Sequence, residues 1–268
     1  MKKIAFCLAL FAALWSGSAC AEEKTHTNSI DMEFVFIPPG SFIMGHAGSA
    51  QAYPPHQVTI SKPFYLGRYP VTQKQWEAVM GKNPSRFKGA TNPVENVSWD
   101  DVQTFIARLN TKEGHTLYRL PTEAEWEHAA RAGTSTPWFF SSAHSIKSSE
   151  LWPYAWFDPN AGGKTHPVGK KKPNQWGLYD IYGNVNEWVQ DRMPLLGLPV
   201  GPVIDPQGPP ENQSNPLYRV TRGGCYGDGA ATSNSSIRGV AEPHKRSSLR
   251  GFRLALSLED TVKSPPAE

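Results

Sequence analysis

The feature that most constrains the fold of this chain is the loss of helical periodicity after about residue 133. Before that point apolar residues recur at helical spacing behind capping residues, whereas beyond it short aromatic stretches alternate with Gly, Pro, Asn and Asp. The 268 residues include 24 Pro, 23 Gly, 9 Trp, 9 Tyr and 12 Phe. Because disordered chains are poor in aromatic residues, we expect a compact domain whose irregular backbone is held by large side chains. Long irregular segments inside such a domain are typical of functional or ion-tethered loops.

Three helices are predicted in the first half of the chain. Thr72 and Thr122 each begin a sequence that resembles a capping box, with Gln75 and Glu125 three residues later. Ser98 caps the segment between them, in which apolar residues recur on one face. The helices are therefore expected to begin directly after these three capping residues.

Alternation of apolar and polar residues predicts strands at residues 33–43 and 56–69. The first of these segments contains a Pro-Pro-Gly turn and is typical of a hairpin. Short strands are expected again at Tyr218–Arg222 and Phe252–Leu256.

The first residues are typical of a secretion signal. Two lysines precede an apolar stretch at residues 4–15, which is too short to span a membrane, and Ala19-Cys20-Ala21 follows as a cleavage pattern. Cleavage there would begin the mature protein near Glu22. An uncleaved anchor and a lipid attached to Cys20 are the alternatives. We therefore expect a periplasmic or secreted protein without a transmembrane segment in the mature chain.

These patterns divide the chain into four parts. We expect a signal peptide at 1–21, a flexible polar lead-in at 22–30, one domain at 31–258 and a frayed polar tail at 259–268. No repeat and no linker subdivides the domain.

Charge and cysteine content exclude two kinds of protein. The formal charge of +3 includes the two lysines of the signal, so the mature chain carries about +1, which argues against a nucleic-acid-binding surface. The densest basic run, Lys170-Lys171-Lys172, is predicted to be a solvated loop. Cleavage leaves Cys225 as the single cysteine, so the exported form would have no internal disulfide and would depend on its core or on bound ions.

Seven segments in the right order resemble the formylglycine-generating-enzyme, or sulfatase-modifying-factor, domain family. They are FVFIPPGSFIMG (34–45), PFYLGRYPVTQKQWEAVM (63–80), NPVENVSWDDVQTFIARLN (92–110), YRLPTEAEWEHAAR (118–131), WGLYDIYGNVNEWVQD (176–191), RVTRGGCYGD (219–228) and RGFRLAL (250–256). The resemblance implies a single-domain α+β fold, the formylglycine-generating-enzyme fold, which is C-type-lectin-like, low in regular secondary structure and commonly stabilised by calcium.

The resemblance implies a calcium site in residues 179–188. The family positions that bind calcium, through two side chains and two backbone carbonyls, fall on Asp180, Gly183, Val185 and Glu187. Carboxylate and carbonyl oxygens in an irregular loop are the hard ligands that calcium prefers. The alternative is that these residues cap a turn and pair with a nearby arginine.

A second family calcium site falls within residues 154–169. Asp158 and Asn160 are its candidate ligands, although they do not map one for one. A further acidic position of the animal enzyme falls on Pro70, which has no side-chain oxygen.

The reactive centre of the family departs from its pattern in this chain. The family enzyme oxidises a substrate cysteine with copper held by two cysteines, and a thiolate pair suits Cu(I). The matching positions here are Asp228 and Ser233, while Cys225 stands where the enzyme has Ser and Asn186 where it often has Trp. We take these four residues as a candidate pocket, expect no copper, and expect no cysteine-to-formylglycine oxidation. Cys225 is interpreted as either a buried small hydrophobe or a reactive thiol.

Other catalytic constellations are not indicated. The eight histidines are scattered without metal-ligand spacing, and His128 is expected to be a partly buried surface residue of the third helix. Glu123 and Glu125 lie in a first helical turn, where the macrodipole explains them better than acid–base catalysis.

Three functions follow from these observations. The first is a non-catalytic binding or regulatory accessory factor in the periplasm, whose partner is a periplasmic protein or a small-molecule or peptide ligand. The second is an oxidative maturation enzyme of altered chemistry, resembling the pyoverdine-maturation branch of the family, which also lacks the cysteine pair. The third is a true formylglycine-generating oxidase. Whether the chain is an enzyme is left open at this point.

Overall fold

The computed structural model describes residues 24–48, 54–195 and 201–258. The predicted signal peptide and polar tail lie outside these residues. The helices, numbered in chain order, are α1 Gln73–Met80, α2 Trp99–Glu113, α3 Glu123–Arg131, α4 Ser148–Leu151 and α5 Asp158–Ala161. The strands are β1 Thr25–Thr27, β2 Glu33–Ile37, β3 Gly40–Met44, β4 His56–Ile60, β5 Phe64–Gly67, β6 Tyr118–Arg119, β7 Asn186–Pro194, β8 Val203–Ile204, β9 Ser214–Arg222, β10 Arg238–Ala241, β11 Arg250–Gly251 and β12 Ala255–Ser257.

The three predicted helix starts are confirmed. Thr72, Ser98 and Thr122 each accept a hydrogen bond from the backbone N–H three residues later, and each is part of a complete capping box. Beyond residue 133 the only helices of the described residues are the two four-residue α-helices α4 and α5 and a 3-10 turn at Glu211–Gln213, which agrees with the loss of periodicity. No described helix has both the length and the apolarity needed to cross a membrane.

A five-stranded sheet with the order β1-β2-β5-β12-β6 forms the centre of the domain. Its strand β1 lies within residues 22–30, so the predicted flexible lead-in is wrong for Thr25–Thr27, which pair antiparallel with Glu33–Val35. The polar composition of this segment reflects an edge strand with exposed side chains. β12 comes from the end of the domain and pairs with both β5 and β6.

The predicted hairpin at residues 33–43 does not form. Both strands exist, but β2 pairs with β1 and β5, whereas β3 pairs with β4 in a separate three-stranded sheet of order β3-β4-β8. Pro38 and Pro39 lie between them, and proline has no backbone N–H for a ladder, so the chain leaves one sheet and enters the next. The Nε2 atom of His128 lies 3.0 Å from the Pro38 carbonyl oxygen and fixes this corner. His128 is 6% exposed, so its expected surface position is also wrong.

The third sheet, with the order β10-β9-β7-β11, carries the regions of functional interest. β7 and β9 are long antiparallel strands whose register shifts on both sides of Arg192. Behind this sheet the buried Glu127 of α3 binds Arg131 at 2.7 Å and also accepts from Arg222. Because both arginines are almost fully buried, this network fixes α3 against β9 at the base of the sheet.

Candidate functional site

A cleft of about 250 Å³ opens where β7 begins, where the loop after β9 turns and where β10 forms the edge of its sheet. Its lining residues are Asn186, Gly224, Asp228, Thr232, Ile237, Arg238 and Gly239. Two of the four predicted pocket residues, Asn186 and Asp228, therefore line one cleft. The sequence analysis did not predict β10, which forms another wall of the cleft, because its four residues show no clear alternation of apolar and polar side chains.

Asp228 holds the loop that forms one side of the cleft. Its Oδ2 atom accepts hydrogen bonds from the Cys225 backbone N–H at 2.9 Å and from Asn186 Nδ2 at 3.2 Å. The Asp228 N–H in turn donates to the Cys225 carbonyl at 3.1 Å. The Asp228 carboxylate, at the position predicted to correspond to the family's first cysteine, thus closes a tight turn and joins it to β7.

Ser233, at the position predicted for the second cysteine, lies beneath the cleft and is not among its lining residues. It is fully buried, and its hydroxyl has no hydrogen-bond partner within the described residues. Gly224 covers it: a Cβ atom added to Gly224 would lie 2.7 Å from Ser233 Oγ, and the φ angle of Gly224 is +75°. Only glycine fits this close approach.

Cys225 is buried and does not line the cleft. Burial, followed by the charge of Asp228, raises the pKa of the Cys225 thiol to about 12. Because the thiolate is the nucleophile and metal ligand, a thiol that stays protonated at neutral pH agrees with the interpretation as a small buried hydrophobe.

The back wall of the cleft is an ion-paired arginine. Arg238 donates through Nε and Nη2 to the two carboxylate oxygens of Glu123, at 2.7 and 2.6 Å. The Glu123 N–H donates to Asp191 Oδ2 at 2.7 Å, so a second buried carboxylate lies at the same helix start. The macrodipole interpretation of Glu123 was incomplete, because its side chain bridges α3 to β10.

The predicted calcium loop already holds an internal cation at Glu187. Arg253 donates to both carboxylate oxygens of Glu187 at 2.7 Å, and Trp126 Nε1 donates to Oε2 at 2.7 Å. All three side chains are buried. Glu187 therefore follows the alternative interpretation of this loop, in which a carboxylate pairs with a nearby arginine.

Asp180 offers a better fit to a metal ion. Its carboxylate is buried and accepts from the Gly169 N–H at 2.7 Å and from Asn184 Nδ2 at 3.4 Å, and no side chain of the described residues forms an ion pair with it. Burial raises the pKa of Asp180 to about 6, so a cation beside it would relieve the cost of its charge. The φ angle of Gly183 is +73°, and a Cβ atom there would collide with the Trp156 carbonyl, so the loop needs glycine. The donor set therefore fits calcium through Asp180, whereas Glu187 would share its charge with Arg253.

The candidate ligands of the second calcium site serve other roles. Asp158 is exposed at the start of α5. Asn160 Oδ1 accepts from the Phe157 N–H at 3.0 Å, and its Nδ2 donates to the Ala155 carbonyl at 3.0 Å. No group of three or more His, Cys, Asp or Glu side chains among the described residues is arranged to hold a metal ion.

The lysine run is more ordered than the sequence indicated. Lys171 Nζ lies 3.9 Å above the Trp156 ring and donates to the Trp152 carbonyl. The imidazole ring of His166 also stacks on the Trp156 ring, with ring centroids 3.9 Å apart. The prediction of a purely solvated loop is wrong for Lys171, because its stem packs on an indole ring.

Comparison with known proteins places these features in a family context. The model of the sulfatase-modifying factor enzyme 1-like domain matches residues 19–258. The chain is 31% identical to the chaperone protein LppX of Paenibacillus barcinonensis, over 92% of this chain and 97% of LppX. Among solved structures it is similar to Treponema denticola variable protein 1 (34% identity, TM-score 0.78, 88% of this chain and 99% of that one). It is also similar to PvdO of Pseudomonas aeruginosa (30% identity, TM-score 0.74, 87% of this chain and 98% of PvdO). These similarities confirm the predicted single-domain α+β, C-type-lectin-like fold.

Proposed function

The chain belongs to the sulfatase-modifying factor enzyme 1-like family, and from that premise we propose that it is an exported, non-catalytic accessory factor that binds its partner in the cleft beside Asp228. The proposal rests on the two residues that stand at the positions predicted for the family's cysteine pair. One carboxylate oxygen of Asp228 accepts two hydrogen bonds from the surrounding loop and β7, and the hydroxyl of Ser233 is buried under Gly224. Neither can act as a soft metal ligand.

The similarity to LppX supports a binding role. LppX is named a chaperone protein, and the two chains match along almost their whole lengths. A cleft of about 250 Å³ with polar and apolar walls suits a side chain or a short peptide segment of a client protein. We place the protein in the periplasm on the strength of its predicted signal peptide.

A cleft-filling variant tests the proposal. Thr232 is exposed at the cleft, and its hydroxyl donates to the Gly229 carbonyl at 3.0 Å. Thr104 is an exposed threonine on α2 whose hydroxyl donates to the Asp100 carbonyl at 3.1 Å, and it serves as the matched control. Affinity capture from periplasmic extract should recover the same partner with the wild type and Thr104→Trp but not with Thr232→Trp. Equal capture by all three proteins, or no captured partner at all, would refute the binding role.

A second candidate is an oxidative maturation enzyme of altered chemistry, because Asn186 and Asp228, two of the predicted reactive positions, line the same cleft. Here Asp228 and Asn186 would touch a substrate in the cleft. Turnover of a cleft substrate that is lost in Asp228→Asn, which keeps the size of the side chain, would support this candidate over the accessory role. Conversion of a CxPxR peptide by the copper-loaded protein would instead show a true formylglycine-generating oxidase.

We also propose that the loop of Asp180, Gly183, Val185 and Glu187 binds calcium as a structural ion. Asp180 supports this, because it is a buried carboxylate that has no ion-pair partner among residues 24–48, 54–195 and 201–258. Calcium should raise the melting temperature of the wild type and not of Asp180→Ala, which removes the side-chain oxygens, while magnesium at the same concentration should have less effect. Equal stabilisation of both proteins would contradict a site at Asp180.

A further inference from the structure

A pair of arginines faces each other across the ladder between β7 and β9. Arg192 and Arg219 are directly opposite partners, and the register shifts on both sides of Arg192. Like charges directly opposite each other destabilise a sheet, so this pair is not explained by the stability of the sheet. The irregular register interrupts the ladder at this point, and both side chains line one cleft.

Arg219 is held in place by its neighbours. Its guanidinium carbon lies 3.8 Å from the centroid of the Trp99 ring, and Nη1 donates to the Gln190 carbonyl at 2.7 Å. Trp99 is itself fixed, because its Nε1 donates to the Val189 carbonyl at 3.0 Å. Burial and the adjacent Arg192 lower the pKa of Arg219. The guanidinium is therefore positioned before any ligand arrives, and little freedom remains to be lost on binding.

The cleft around these side chains has a volume of about 230 Å³ and a mostly polar lining. Its residues are Gln190, Arg192, Gln207, Pro209, Glu211 and Arg219. Among the described residues no carboxylate forms an ion pair with Arg219. Arg192 pairs with Glu211 at 3.1 Å, but the Glu211 side chain is 88% exposed. Such a surface pair is weak, so Glu211 is a displaceable partner.

We propose that this cleft binds an oxyanion, a phosphate, sulfate or carboxylate group, between Arg192 and Arg219. Two guanidinium groups present forks of N–H donors that match the geometry of such a group, and an anion would cancel the repulsion between them. The site shares no lining residue with the cleft beside Asp228, so it does not depend on the proposed accessory role.

Titration of the intact protein with inorganic phosphate, sulfate and acetate, each at constant ionic strength, tests the site and identifies the favoured group. Saturable binding by calorimetry is expected for at least one of them. Arg192→Gln, which changes a partly exposed side chain, should weaken it by roughly tenfold or more. Arg219→Gln should do the same. Arg108→Gln on the exposed face of α2 removes the same charge elsewhere and should leave the binding unchanged.

Glu211→Gln distinguishes an anion-binding role of the two arginines from a purely structural one, because only the binding role predicts a change in anion affinity. Removal of the competing carboxylate should strengthen anion binding severalfold, opposite in direction to the arginine variants. The proposal is overturned if none of the three anions binds saturably, or if Arg192→Gln binds as tightly as Arg108→Gln.

Discussion

Asp191 should make the protein less stable as the pH rises through the neutral range. It is 5% exposed, and burial, together with the nearby charge of Glu123, raises its pKa to about 7 from 3.8. The folded protein therefore holds this proton more tightly than the unfolded chain. The stabilisation is complete below about pH 4, and it is lost as the pH rises toward 7 and above.

The magnitude follows from the size of the shift. Each pKa unit corresponds to about 1.4 kcal/mol, so a shift of roughly three units sets an upper limit of about 4 kcal/mol on the free energy of unfolding lost by pH 8. Asp191→Asn removes the charge and keeps an oxygen for the Glu123 N–H, which now donates to Oδ2 at 2.7 Å. In a domain of this size the variant should melt up to about 10 °C above the wild type at pH 8, but only about 2–4 °C above it at pH 4.5.

Thermal unfolding followed by circular dichroism at pH 4.5, 6 and 8 measures this difference. Asp158→Asn removes the charge of an exposed aspartate and should follow the pH dependence of the wild type. If Asp191→Asn keeps the pH dependence of the wild type, or is less stable at pH 8, then the Asp191 charge is not a cost to the fold and the reasoning fails.

Three further outcomes follow from the buried side chains. Gly224→Ala should lower the free energy of unfolding by about 1–3 kcal/mol in urea titrations, because φ is +75° and Cβ would meet Ser233 Oγ, whereas Gly227→Ala should be nearly neutral. Arg253→Met should cost about 3–5 kcal/mol by leaving the Glu187 charge buried and unpaired, and a smaller loss in the double variant with Glu187→Gln would confirm that cause. Cys225, with a pKa of about 12, should resist iodoacetamide at pH 8 in the native protein and react in urea; rapid native labelling would contradict its burial.

The local signals in the sequence predicted the parts of the fold that depend on neighbouring residues. Thr72, Ser98 and Thr122 cap helices because a cap needs only the next three residues. The hairpin at 33–43 was wrong because the choice of strand partner is non-local: β2 pairs with β5, about thirty residues later, rather than with β3.

The candidate cleft was predictable only in part. The resemblance to the family indicated Asn186 and Asp228, and in the structure Asn186 Nδ2 lies 3.2 Å from Asp228 Oδ2. The other wall comes from β10, whose Arg238 reaches Glu123 across 115 residues of sequence. The opposed arginines of β7 and β9 depend on an irregular register, which no periodic pattern of apolar residues encodes.

The position of β12 has a consequence for the order in which the protein can fold. This strand, Ala255–Ser257, lies between β5 and β6, and the preceding Arg253 neutralises Glu187. A nascent chain that has not yet released β12 leaves the edges of β5 and β6 open and the buried Glu187 carboxylate without its counter-ion. The domain can therefore complete its core only after β12 has been synthesised and has left the ribosome.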